Sequence, residues 1–326
     1  MKAFVCETLS DDLSGASLTE IDLPALAPGE VGVRVRAASL NYPDILMCQG
    51  RYQFKPDLPF TVGMEFAGDV VALGDGVDSL KMGDRVCGGM KTGAFAEYAS
   101  VPASALRPVP DGFDYAEAAA FGAAYLTAYV SLVRRGRLEA GETLLVHGAS
   151  GGVGLASVQM GKLLGARVIA TTGVAEKADA IREAGADHVI VMDYGFREEV
   201  KDLTDGRGAD VIFDPIGGDV FDESTRCIAF DGRLLVVGFM SGRIADVKAN
   251  IPLIKGFSVV GVRAGEYGRR FPEKGRENMQ AIWKWANAGK LTPQIHARIP
   301  LADITKALDM MISRAFVGKI VIEMPD

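Results

Sequence analysis

The sequence predicts an α/β protein in two parts, a β-rich unit and a doubly wound parallel sheet. Three observations carry this expectation. Short valine-bearing runs broken by glycine and proline fill the first third of the chain. Strands then alternate with helices from about residue 115 to residue 263, and a short segment follows in which the alternation stops. The 326 residues suffice for two domains. With 48% hydrophobic residues, the chain can bury a large core.

In the first third, residues 31–37 alternate apolar side chains with Gly or Arg, the pattern of a half-buried strand. Further strands are expected at 66–73, 85–87 and 95–101, separated by the turn signals Pro28-Gly29, Gly74-Asp75-Gly76 and residues 81–84. Residues 115–124 and 127–134 read as two helices. Then come a strand at 144–147, a glycine-rich turn and a helix at 153–164. A strand at 167–171, a helix at 175–184, a strand at 188–192 and a weak helix at 198–203 follow. Strands at 211–213, 234–237 and 258–262 complete six, enough for a doubly wound sheet. Beyond residue 263, helices at 278–288 and 304–313 and a strand at 318–322 make a segment too short to stand alone. It is expected to rejoin the first unit, so that 1–121 plus 264–326 form one domain and 122–263 the other.

Composition narrows the function classes. The net charge is −7 and no long basic block occurs, which argues against nucleic-acid binding. Cys6, Cys48, Cys87 and Cys227 lie far apart, without metal-ligand spacing, and suit a reduced, cytoplasmic setting. The first residues meet an acid at Glu7 and lack the apolar stretch of a secretory signal. No run of 18 apolar residues is present, and the apolar stretch at 116–124 reads as a buried helix, so no membrane partner is expected.

The strongest local signal is Leu144-Leu145-Val146-His147-Gly148-Ala149-Ser150-Gly151-Gly152-Val153-Gly154, a strand, a glycine-rich turn and a helix start. Within it, Ser150, Gly151, Gly152, Val153 and Gly154 are the candidate dinucleotide contacts. Glycine lets the backbone approach a pyrophosphate, whose charge sits on the helix N-terminus, and Gly154 permits close packing of helix on strand. An NAD enzyme usually carries an acid at the end of the second strand. Here that strand ends Thr171-Thr172-Gly173-Val174, with no acid. Thr172 and Gly173 leave room for a 2′-phosphate, Lys177 could meet it, and Tyr194 could offer a hydroxyl or a stacking face. Glu176 is the contrary feature. NADPH is favoured; a solvated Lys177 is the alternative.

At this point the whole chain resembles the medium-chain dehydrogenase/reductase superfamily, and within it the zinc-free quinone oxidoreductases related to zeta-crystallin. The motifs that carry the resemblance are Ala38-Ser39-Leu40-Asn41-Tyr42-Pro43-Asp44, Gln49-Gly50-Arg51-Tyr52, the run from Pro59 to Gly68, and the AxGGxG loop. The resemblance implies a GroES-like catalytic domain and an inserted or adjacent Rossmann domain. Zinc alcohol dehydrogenases carry Gly-His-Glu where this chain has Gly63-Met64-Glu65, and a cysteine ligand near Asn41-Tyr42-Pro43-Asp44 that is missing here. A thioether is a poor zinc ligand, so no metal is expected. Without a Lewis acid, reduction of an already activated acceptor is easier than oxidation of an alcohol.

By resemblance, Asn41 would lie near the nicotinamide and hydrogen-bond an acceptor oxygen. Tyr52 matches a tyrosine that enoyl-thioester reductases of the same superfamily use near the reacting centre. Their alternatives are a turn cap before Pro43 and a packed aromatic. The family pattern also implies cofactor contacts at Thr127, Tyr129, Gly238, Phe239, Val262 and Lys319, with a core role equally open for Val262. Arg263, Arg269, Arg270 and Arg276 could bind an anionic substrate, but interspersed Glu266, Glu273 and Glu277 favour a solvated segment. The expected function is NADPH-dependent reduction of quinones or α,β-unsaturated carbonyls. An enoyl-thioester reductase is a second reading and a non-catalytic NADPH-binding protein a third. The resemblance further implies a homodimer formed through the last strand of the nucleotide domain, with a tetramer as the alternative.

Overall fold

The computed structural model describes residues 1–192 and 195–325. The chain opens with β1 (Lys2–Cys6), β2 (Ala16–Glu20) and β3 (Glu30–Ser39), followed by the short helix α1 (Tyr42–Cys48). Then come β4 (Phe60–Thr61), β5 (Glu65–Leu73), β6 (Arg85–Gly89), β7 (Tyr98–Pro102) and β8 (Leu106–Pro108). In β3 the burial alternates as the sequence does: Val31, Val33 and Val35 point inward, fully buried. β1 pairs antiparallel with β2 and β4, apart from the larger sheet.

Helix α2 (Tyr115–Tyr129) runs on without a break into a π-helical turn, Val130–Arg135. The sequence predicted two helices here; neither Gly nor Pro lies between Ala124 and Thr127 to interrupt one, so a single longer helix forms. Residues Tyr115–Arg135 are long and apolar enough by composition to cross a membrane. In this fold 67% of that apolar window is buried inside the protein, as a core helix would be.

The parallel sheet follows: β9 (Thr143–Val146), α3 (Gly152–Leu163), β10 (Arg167–Thr172), α4 (Ala178–Glu183), β11 (His188–Val191) and α5 (Arg197–Leu203). Next are β12 (Ala209–Asp214), α6 (Gly218–Cys227), β13 (Ile228–Val236), α7 (Asn250–Lys255) and β14 (Ser258–Gly261). Every pairing is parallel and the spatial order is β11-β10-β9-β12-β13-β14. The chain direction across the sheet therefore reverses between β9 and β12, the topological switch point where such sheets bind ligands. Leu145, Ile169, Ile212 and Leu234, one from each of four adjacent strands, pack in one buried cluster with Phe221 of α6.

Two helices, α8 (Ala264–Arg270) and α9 (Pro272–Asn287), precede β15 (Ile295–Pro300), α10 (Ile304–Ser313) and β16 (Lys319–Glu323). The chain divides into two compact units, Met1–Ala123 with Thr292–Asp326, and Ala124–Leu291. The sequence placed the return at residue 264, but 264–291 stay with the parallel sheet. Arg134 Nε donates to Asn278 Oδ1 at 2.7 Å, and Tyr129 packs on Trp285 with ring centroids 5.8 Å apart. After that, β16 inserts between β15 and β3, antiparallel to β3 with Val321 opposite Ser39. The larger sheet of the first unit has the order β15-β16-β3-β5-β6-β8, with β7 also on β3.

Candidate functional site

In the first unit the site is built on α1. Asn41 is its N-cap, Pro43 lies in its first turn, and Asp44 is at the third helical position. The Asn41 N–H donates to Asp44 Oδ2 at 2.8 Å, while Ile45, Met47 and Cys48 lock the helix into the core. Asn41 and Asp44 face each other as a capping box, and the stronger partners of the Asn41 side chain lie outside the helix. Its Nδ2 donates to Ser39 O at 3.1 Å and to Glu65 Oε1 at 2.9 Å. Its Oδ1 accepts from Lys319 Nζ at 2.6 Å, across 278 residues of sequence.

Glu65 and Lys319 form a buried ion pair, 3.1 Å apart with side chains 5% and 6% exposed. Such a pair persists where its remaining donors and acceptors are matched, and here they are. Lys319 Nζ also donates to Leu40 O at 3.3 Å, and Glu65 Oε2 accepts the Ala123 N–H at 2.9 Å. Glu65 reaches this place because β5 begins right after Gly63-Met64. Gly63 has φ 103° and a Cβ there would stand 2.6 Å from Phe95 N, so only glycine fits. Burial, with the neighbouring Glu65 charge, pushes the Asp44 carboxyl up to about 8, although the Asn41 N–H and Lys319 act against it. Among the described residues its Oδ1 has no hydrogen-bond partner.

The sequence reading found Asn41 and Lys319 and gave Glu65 and Asp44 no role. It also cast Asn41 as a donor to substrate; both hydrogens of its amide are already engaged, so only acceptor capacity on Oδ1 is left. Lys319 was cast as a cofactor contact, and its three donors are likewise taken. Tyr52 lies just beyond α1, its N–H on Leu46 O at 3.2 Å and its ring against the core. Its hydroxyl has no hydrogen-bond partner among the described residues, and it shares no hydrogen bond with the Asn41 cluster.

In the second unit, the predicted contacts that follow β9, β10, β13 and β14 lie at the carboxyl edge of the parallel sheet, whereas Thr127 and Tyr129 belong to α2. The loop after β9 is tied to the end of β10 by Ala149 N–H to Thr171 O, 3.2 Å. Helix α3 starts at Gly152 with Gly151 as a side-chain-free N-cap and no acid in its first turn. By helix geometry, its first N–H groups have no partner along the chain. Ser150 and Val153 flank this start, both half-buried. At the end of β10, the Thr172 hydroxyl and Val174 backbone close a small turn, 3.2 Å from Val174 N. Gly173 is exposed with no atom within 4 Å of its would-be Cβ, and half-buried Lys177 follows in a short 3-10 turn. Tyr194 lies outside the described residues.

Gly238 and Phe239 follow β13, where a Gly238 Cβ would meet Pro215 O at 3.0 Å. Val262, half-buried, extends β14 by donating to Val236 O at 2.9 Å. In α2, the Thr127 carbonyl accepts the Ser131 hydroxyl at 2.6 Å. Tyr129, 9% exposed, is packed on Trp285. The arginine segment is largely self-neutralised, with Arg269 and Arg270 each 3.0 Å from Glu266.

Two buried polar residues of this unit had no role assigned from the sequence. At the end of β12, beside the switch point, Asp214 Oδ1 accepts the N–H groups of Ile216 at 2.8 Å and Gly217 at 2.9 Å. It thereby holds the turn into α6, and burial raises its carboxyl despite both bonds. His147, fully buried between the Thr171 and Ser224 hydroxyls at 2.9 Å each, is pushed down to about 3 by burial and stays neutral. It is a structural histidine.

A six-stranded parallel sheet with a glycine loop at its first strand defines a Rossmann-type nucleotide unit, here joined to a β-rich partner domain. Comparison with known proteins agrees in both halves. Residues 27–111 match the alcohol dehydrogenase GroES-like domain and residues 152–285 the zinc-binding dehydrogenase family. A quinone oxidoreductase-like protein 2 homolog of Nematostella vectensis is 40% identical over 305 residues, covering 91% of this chain and 82% of that one. The structure of a mycobacterial protein complexed with NADPH superposes with TM-score 0.92 at 30% identity, over 99% of this chain and 100% of that one. Escherichia coli quinone oxidoreductase complexed with NADPH gives TM-score 0.90 at 28% identity, over 99% and 100%. The chain belongs to the medium-chain dehydrogenase/reductase superfamily, in its quinone oxidoreductase-like branch.

Proposed function

We propose that this chain is an NADPH-dependent, zinc-independent reductase that transfers hydride to quinones or α,β-unsaturated carbonyls. The observation that carries the reading is the side chain offered where a zinc enzyme of this superfamily needs a ligand. Met64 stands in Gly63-Met64-Glu65, and Glu65 and Asp44 are engaged by Asn41 and Lys319. Among the described residues, no group of three or more His, Cys, Asp or Glu side chains could hold a metal ion. Four buried, unpaired cysteines accord with a reduced cytoplasmic setting. NADPH supplies the hydride when bound; the chain's own work is to hold the pyrophosphate on the start of α3 and to orient the acceptor.

Purified protein is expected to oxidise NADPH with 1,2-naphthoquinone or an enone at a rate that chelation leaves unchanged. Activity that appears only on adding zinc would overturn the metal-free reading. The acid-free end of β10 and Lys177 support NADPH over NADH. Lys177→Ala is expected to raise the KM for NADPH about tenfold, the loss of one charge-assisted phosphate contact, with little effect on NADH. An equal effect on both cofactors would remove Lys177 from the phosphate site.

The unpartnered Tyr52 hydroxyl favours a second reading, in which Tyr52 protonates the enolate of an enoyl thioester. A higher kcat/KM with an enoyl-CoA than with any quinone, lost in Tyr52→Phe, would select it. Self-association is supported by the last strand of the parallel sheet. Among the described residues, strand β14 pairs with β13 alone, and Phe230, Leu253 and Ile254 are 83%, 81% and 74% exposed in the second unit. Leu253→Asp is expected to raise the dimer dissociation constant at least roughly tenfold in analytical ultracentrifugation. A monomeric wild type would refute the homodimer.

A further inference from the structure

The geometry points to the Glu65–Lys319 pair as a positioning device that fixes the Asn41 side chain with its oxygen as the sole remaining site for a ligand. This rests on the reductase reading for what Asn41 then serves, but the lock itself is a statement about three side chains. An asparagine amide can turn over and exchange its oxygen for its nitrogen unless its neighbours forbid it. Here the neighbours are a cation and an anion. Lys319 Nζ at 2.6 Å can meet only the oxygen, and Glu65 Oε1 at 2.9 Å can meet only the N–H. Turned over, the amide would set N–H against ammonium and oxygen against carboxylate, two repulsive contacts in a nearly dry site. Ser39 O takes the second N–H.

The main chain is held as firmly. Asp44 accepts the Asn41 N–H, and Leu40 N–H donates to Ile320 O at 3.0 Å, tying the residue before Asn41 to the strand that carries Lys319. Asn41 is therefore presented to a ligand as a fixed acceptor, complementary to a donor such as the amide N–H of a nicotinamide carboxamide. It has no hydrogen left for the oxygen of the reducible acceptor. Glu65 and Lys319 act through Asn41, and the lysine that sequence resemblance brings to the cofactor has its work in this lock.

Two measurements test this. In the wild type, the Asn41 side-chain amide protons, assigned by their loss in Asn41→Ser, are expected to exchange with D2O at least roughly tenfold more slowly than those of exposed asparagines. In Glu65→Gln/Lys319→Met, which leaves no buried charge unpaired, that protection is lost. The second measurement is a kinetic cycle with NADPH and 1,2-naphthoquinone. Lys319→Met is expected to lower kcat at least about tenfold with the NADPH Kd changed less than about threefold. Placed in Asn41→Ala, the same substitution changes kcat less than about twofold, whereas its thermal destabilisation persists in both backgrounds. Lys319→Arg, which keeps charge and donors, is expected to recover part of kcat.

Fast exchange of the Asn41 amide in the wild type would overturn the lock. So would an undiminished Lys319→Met effect in Asn41→Ala, which would make Lys319 a structural or cofactor-contacting residue. A wild type that oxidises NADPH with no acceptor would defeat the reductase reading, and the exchange measurement would still decide the lock.

Discussion

Gly154→Ala is expected to weaken NADPH binding roughly 5- to 150-fold and to lower thermal stability, an overpacking cost of about 1–3 kcal/mol. A Cβ on Gly154 would stand 2.2 Å from Gly148 O, 2.7 Å from Ala149 Cα and 2.9 Å from Ala149 C. All three are backbone atoms, so no side chain can swing aside. The loop that carries them leaves β9 and is tied to β10 through Thr171 O, so α3 or the loop must move. Either displacement misaligns the first N–H groups of α3 with the pyrophosphate.

Gly151 supplies the control. It has φ −79°, open to any residue, and its Cβ would meet only Gly148 O at 3.6 Å. Gly151→Ala is therefore expected to leave the melting temperature unchanged. Any loss of NADPH affinity in it would come from the methyl meeting the ligand. The two variants separate the two jobs of glycine in this turn, packing of the helix against its own loop and access for the cofactor. Titration of NADPH fluorescence and a thermal melt on both would show this. A Gly154→Ala protein with wild-type melting and affinity would refute the assignment.

How legible all this was in the sequence depended on range. The strands of the parallel sheet announced themselves because each is a short apolar run between turn signals, buried on both faces. In β3, alternation did the same for a half-buried strand. α6 was missed: it starts at Gly218 in a polar stretch, and its buried Phe221, Ser224 and Cys227 follow a helical period that composition hides. β15, Ile295–Pro300, does alternate in burial, yet with His and Arg on its open face and a closing proline it gave only a faint strand signal. The boundary at residue 264 failed for a different reason. What keeps α9 with the parallel sheet are contacts such as Arg134 with Asn278, 144 positions apart, and no local pattern encodes them.

The candidate site divides the same way. The glycine loop is a local motif and was read directly. Asn41 and Lys319 came from resemblance to a family, not from spacing. Glu65 and Asp44 sat inside quoted motifs without a role, because burial of a charge is a tertiary fact. The one local hint was Asn41 followed three residues later by Asp44, an N-cap with an acid that returns to cap it. That pair marks a helix start and fixes the backbone from which the asparagine side chain projects.

Asp44→Asn is expected to make the protein less sensitive to alkali, by on the order of 2–4 kcal/mol between pH 5 and pH 8. The sign follows from linkage. An aspartate in the unfolded chain titrates near 4, whereas in the fold burial first, and then the Glu65 charge, carry Asp44 up to about 8. Between those values the folded state holds a proton that the unfolded state has released. The contribution of Asp44 to stability therefore falls as pH rises from about 4 through 8, and is level below that window. Asparagine imitates the protonated acid. It keeps an oxygen for the Asn41 N–H and carries no charge to bury, so the contribution of this position should be flat where that of the wild-type carboxyl declines.

His147 works in the opposite direction. Burial holds it near 3 in the fold, so the unfolded state binds its proton first, and stability is lost as pH falls from about 6.5 toward 3. Because His147 is present in both proteins, its slope cancels in the difference between wild type and Asp44→Asn. What remains belongs to Asp44 and to the neighbours coupled with it. Thermal melts of both proteins at pH 5, 6.5 and 8 decide the matter. A gap that widens with pH in favour of the asparagine variant means that the wild-type carboxyl is neutral beside the Glu65–Lys319 pair. Parallel profiles mean that it is ionised there, with Lys319 balancing two carboxylates instead of one.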